Sequence, residues 1–94
     1  MLTVEDMRVH LRVTGDSMDT EIKFLMDGAL ADMERVGIDV YAAEYAENLM
    51  NIAVVSYCKA NFGFDNPDAP LYEMRYRQTV CDLLNSKASL DRSE

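Results

Sequence analysis

Long apolar runs are missing from this chain. The longest span four residues, as at Ile52–Val55, far short of the roughly 20 that a membrane-spanning helix needs. The N-terminal stretch carries acids at Glu5 and Asp6 and lacks the basic start and apolar core of a secretory signal. Synthesis in the cytoplasm, with no membrane partner, is expected. Cysteine is scarce. Cys58 and Cys81 have no near neighbours of their kind, which excludes a disulfide scaffold or a zinc ribbon; both are expected to be buried thiols in a reducing compartment.

Histidine occurs once, as His10. Nucleophilic catalysis needs a nucleophile, a base and an orienting group. A lone histidine at the end of a short helix is ordinarily a capping or solvated residue, and thiols on apolar stripes are ordinarily inert, so no catalytic set is readable. A hydrolase or metal enzyme would require His10 to meet a carboxylate in a pocket. Asp16, Asp19 and Glu21 crowd one connection, but without the alternating acids, glycine and distal Glu of an EF-hand; a solvated helix start is expected. Asp65 and Asp68 read as turn and cap residues. Gly15, Gly28, Gly37 and Gly63 are scattered and form no phosphate-cradling loop. No cofactor and no metal are expected.

Positive charge is also short: 9 basic against 17 acidic residues, a formal net charge of −8. The excess is uneven, net −7 over residues 1–48 and −1 over 49–94. Such a surface repels phosphate, which argues against a basic footprint for DNA or RNA and against anionic membranes. At 94 residues the chain has room for one core of marginal stability, for which oligomerisation is a common remedy.

What is present is helical periodicity. A first helix is expected over Val4–Val13, with Thr3 as N-cap and Asp6 three residues on, close to a capping box. Met7 and Leu11 share its inner face, and Gly15 is expected to stop it. Asp16 or Ser17 can start a second helix over Met18–Val36, where Ile22, Leu25, Met26, Ala29, Met33 and Val36 recur at intervals of three and four. Gly28 inside it costs about 1 kcal/mol relative to Ala and raises the question of a close neighbour; Gly37 ends the segment. After a connection over Ile38–Ala43, Glu44–Phe62 reads as a third helix, apolar nearly all round and so buried on several sides. A strand through Ile52–Tyr57 is the rival reading; the flanking Ala, Leu, Met and Glu favour helix, and a lone strand leaves its backbone unpaired. Turn residues fill Gly63–Pro70. A fourth helix, with Asp68 as N-cap and Pro70 in its first turn, runs to about Asn85. It carries one stripe of Tyr72, Tyr76, Val80 and Leu83, and a second of Leu71, Met74, Cys81 and Leu84. The expectation is an all-α bundle of three longer helices plus a short first one: a single domain over residues 1–85, with a flexible polar tail over 86–94. A first helix of this length is unstable alone and must dock on the bundle or on a neighbouring molecule.

The opening Leu2-Thr3-Val4-Glu5-Asp6-Met7-Arg8-Val9-His10-Leu11-Arg12-Val13, followed by Gly15-Asp16-Ser17-Met18-Asp19, resembles the start of the tailed-phage head–tail connector family, the small adaptor or head-completion proteins. The matching positions are Leu2, Thr3, Glu5, Leu11, Arg12 and Val13, then Asp19, Ile22, Leu25, Met26 and Ala29; Arg8 stands where lysine is commoner. The apolar third helix, the Asn66-Pro67 turn and a last helix with aromatic and basic residues follow the family's layout. Tyr57 and Lys59 fit its usual Tyr-x-x-Arg only in part.

The resemblance implies a non-enzymatic virion subunit of a phage or prophage. Such a subunit assembles with copies of itself into a ring, about dodecameric, beneath the portal protein. The ring extends the DNA channel and docks the tail or a stopper protein. Residues read as subunit or partner contacts are Met7, Leu11, Tyr72, Arg75, Tyr76 and Arg77. For the last four the plainer reading is tyrosines packed on the third helix and arginines in solvent. Asp16, Asp19, Glu21 and Asp27 form a candidate acidic channel face or simply a solvated one. A short, hinged first helix is read as a mobile docking element. The alternative function is an acidic helical interaction module, an anti-regulator or DNA mimic with no virion role.

Overall fold

A computed structural model describes residues 2–40, 47–63 and 66–85. It is all-α: the described residues form helices α1 (Val4–Leu11), α2 (Asp19–Arg35), α3 (Glu47–Asn61) and α4 (Ala69–Leu84). The expected tail over 86–94, the start of the third helix at Glu44–Ala46, residues 41–43 of the connection and the turn residues Phe64 and Asp65 lie outside the described residues.

The helix ends follow local chemistry. At α1 the Thr3 hydroxyl accepts from the Asp6 N–H at 3.1 Å, and an Asp6 carboxylate oxygen accepts from the Thr3 N–H at 2.9 Å, a complete capping box. The helix stops before Gly15, the expected terminator. Arg12 takes the left-handed conformation at φ 60, and the Val13 and Arg12 amides donate back to the Arg8 and Val9 carbonyls, a Schellman turn made without glycine. At the end of α2 the same turn uses Gly37, at φ 103, as expected. There Ile38 N–H donates to Met33 O, and both side chains lie in the core.

Two cap expectations are corrected. Neither Asp16 nor Ser17 starts α2; the N-cap is Met18, with no side-chain cap bond. Asp68 occupies the N-cap of α4 but caps nothing with its side chain. Asn66 does the holding there. Its side-chain oxygen accepts from Asp68 N–H at 3.1 Å, and its amide donates to Lys59 O at 2.7 Å, tying the turn back to α3.

The core consists of Met7, Ile22, Met26, Ala29, Met33, Ile38, Val40, Met50, Ala53, Val54, Cys58, Tyr76 and Leu83. α3 is its centre and packs against α4, α2 and α1, which answers to its apolar composition. Three small residues of α3, Ala53, Ser56 and Cys58, are buried. Gly28 does mark a close approach: a Cβ there would lie 3.2 Å from the Tyr57 hydroxyl of α3.

α4 departs from expectation on one side. Its Tyr76, Thr79 and Leu83 face inward, but Leu71, Met74 and Cys81 of the second stripe are exposed. No helix packs over that side among the described residues. Cys58 is buried as expected; Cys81 is not. Among the described residues no helix is long and apolar enough to cross a membrane.

Candidate assembly surfaces

The first element to place is α1, because its sequence suggested a mobile arm. The structure has it seated on the bundle. Met7 is its one fully buried side chain, packed into the common core with Leu11, Val4 and Leu2 partly buried around it. Beside Met7, Arg8 reaches Asp19 at the start of α2 in a bidentate pair, Nε to Oδ1 at 2.8 Å and Nη2 to Oδ2 at 2.6 Å. Two parallel charge-assisted bonds fix orientation as well as distance. The Arg8 guanidinium holds the Asp19 carboxyl below the usual carboxylate range. Asp19 is therefore a structural partner of α1, not part of a solvated acidic loop, while Asp16, Glu21 and Asp27 are exposed. Among the described residues no group of three or more His, Cys, Asp or Glu is placed to hold a metal.

The aromatic and basic residues of α4 divide between inside and outside. Tyr76 is buried, so it and Met7 serve the chain's own core. The Tyr76 ring meets Tyr57 edge-on with centroids 5.2 Å apart, and its hydroxyl donates to Asp32 Oδ2 of α2 at 2.7 Å. Burial, with the neighbouring Asp32 carboxylate, pushes the Tyr76 phenol up. Asp32 also accepts from Arg35, and the two bonds hold its carboxyl low, Arg35 contributing most. This network is the polar link between α2 and α4 over the face of α3. It floors a groove of about 500 Å³ whose rim carries Arg35, Glu73, Arg77 and Cys81. Arg77 is paired with Glu73 one turn back.

Tyr72 and Arg75 lie on the other side of α4. Lys59 of α3 sits 5.3 Å from the Tyr72 ring centroid, and Arg75 5.8 Å from it, so one ring positions two cations by cation–π attraction. They border a second groove, of about 300 Å³, lined also by Ile52 and Val55 of α3 and by His10 and Leu2 on the α1 side. Among the described residues no carboxylate lines it. On a chain of net charge −8 this is a local reversal of sign.

The acidic candidates form the counterpart. Phe24 projects from α2 with 75% of its surface exposed. Glu21 and Asp27 are three residues to either side, on the same helix face. Phe24 falls off the stripe of Ile22, Met26, Ala29 and Met33, which is the sequence signal that would have shown it as a surface aromatic. Lys59 gave no such signal, because its pairing with Tyr72 depends on how α3 and α4 pack.

A small helical protein whose aromatic, cationic and acidic groups are spread over open grooves and a ridge belongs to the class that works by contact with other macromolecules. Its family narrows that class: the model of the family described as phage connector protein matches residues 3–89, and the chain belongs to that family, which is structural rather than enzymatic. No curated protein and no solved structure matches the chain.

Proposed function

We propose that this chain is a head–tail connector subunit of a tailed phage or prophage. Copies assemble into a ring beneath the portal after DNA packaging, extend the DNA channel, and present the docking surface for the tail or a stopper protein. The observation that carries this reading is the family match, which spans nearly the whole described fold. The physical features support it. Asp16 is exposed on a chain of net charge −8, and a wall that repels phosphate lets DNA pass without holding it. Leu11 is half-buried, while Arg75 and Arg77 are exposed beside the half-buried Tyr72. With the uncovered Leu71 and Met74 they supply the aromatic, arginine and apolar surface that protein interfaces favour. The role needs no bond-making step, and the protein resides at the head–tail junction of the virion after assembly in the host cytoplasm.

Deleting the gene from its phage tests this. DNA-filled heads should accumulate without tails, and supplying the protein in trans should restore tailed particles. Normal tailed particles from the deletion strain would rule the role out.

A further inference from the structure

We infer that the Tyr72 groove receives the Phe24 ridge of a second copy of this chain. The inference rests on the ring reading above and identifies which surfaces of neighbouring subunits meet. The groove has an apolar part, Ile52 and Val55, and two cations, Lys59 and Arg75, with His10 beside them. The ridge inverts this pattern: an exposed aromatic ring at its crest, with Glu21 and Asp27 at its flanks. An aromatic side chain entering an apolar hollow with charges matched around it is the arrangement of an interface hot spot.

Three details favour a second copy as occupant. The groove is basic on an otherwise acidic chain, so a neighbour's acidic surface is attracted to this site and repelled elsewhere. Lys59 and Arg75 are already positioned by Tyr72 and lose little freedom when an anion arrives. Among the described residues Asp27 is met only by Lys23, at 3.2 Å, in an exposed pair of the weak kind that a better placed cation displaces. The two patches also border different faces of α1. Val4 adjoins the hollow beside Phe24 and His10 adjoins the groove; six residues of helix separate their directions by about 120°. A contact joining two different patches leaves one groove and one ridge open in each head-to-tail pair, and so continues from copy to copy, as a ring requires.

The test uses full-length protein carrying Cys81→Ser, which removes the exposed thiol. Copies with Thr20→Cys, beside Phe24, are mixed with copies carrying Asn51→Cys, in the groove, under mild oxidation at high concentration. The disulfide between unlike copies should form in preference to either disulfide between like copies. In parallel, Arg75→Glu should weaken self-association by at least about tenfold. Mixing that variant with an E21K/D27K copy should restore binding between the two, with helix content by circular dichroism confirming that both are folded. Wild-type assembly that survives both charge reversals and gives no such disulfide would overturn the surface assignment and leave the ring standing. Assembly that stops at a two-fold dimer would overturn the head-to-tail arrangement. A wild-type chain that never self-associates, alone or on assembled portal, would overturn ring and inference together.

Discussion

Replacing Met7 with alanine removes the single fully buried side chain of α1. An eight-residue helix is far below the length that is stable alone in water, so its persistence depends on docking. Met→Ala in a closed core costs about 2–5 kcal/mol, the lower figure where neighbours collapse into the space. Here Leu2, Val4 and Leu11 are partly buried around the site and can relax somewhat, which puts the cost near 3 kcal/mol. For a domain of this size that lowers Tm by about 12–24 °C, and it is a large part of a stability that is itself only about 5–15 kcal/mol. The matched control is Val9→Ala, since Val9 is 76% exposed and should change stability by no more than about 0.5 kcal/mol. Urea melts give both values. Hydrogen exchange separates global loss from detachment of α1 alone, in which amides at the end of α1 lose protection while α3 and α4 keep theirs. If Met7→Ala matches Val9→Ala within error, α1 is not held by its buried face, and the docked arrangement is wrong.

Three further outcomes follow from the packing and the electrostatics. Asp6, held low chiefly by the Thr3 amide, and Asp19, held low chiefly by Arg8, stabilise the fold fully above the ordinary carboxylate range and cease to as pH falls through their depressed values. Stability should therefore fall below about pH 4, and Asp19→Asn should flatten that fall in urea melts; an unchanged slope would show the Arg8 pair to be idle. Gly28→Ala should raise stability by up to about 1 kcal/mol, because Tyr57 meets the new methyl with the end of a half-buried ring that can shift into the adjoining groove, whereas Gly28→Leu should cost about 1–3 kcal/mol; a destabilising alanine would show Tyr57 to be immovable. Cys81 should react promptly with a thiol reagent, while Cys58, buried and with its thiol pushed up to about 12, should react only on unfolding; two equally fast thiols in a mass-spectrometric time course would contradict the packing of α3.

The helices were legible in the sequence because their signals are local. Thr3 and Asp6 encode a cap within four residues, and Gly37 encodes a stop. The spacing from Ile22 to Met33 encodes a buried face. The all-round apolar character of α3 likewise foretold its central position. What stayed hidden is relational. Arg8 and Asp19 belong to different helices, and nothing in either neighbourhood says they meet. Leu71, Met74 and Cys81 have the spacing of a core stripe and end exposed, because periodicity reports that a face is apolar and not whether another element covers it. Tyr72 and Tyr76 lie one turn apart and were indistinguishable; only the path of α3 beneath them sends Tyr76 inward to Asp32 and leaves Tyr72 to gather Lys59 and Arg75.

The role is tested most directly by electron cryomicroscopy of the neck of the intact phage particle. A ring of four-helix densities of this chain, about a dozen copies lying between portal and tail and open to the DNA channel, is the expected result. A particle whose neck contains no copy of the chain, or a chain found only as a soluble complex with a basic host protein, would contradict it.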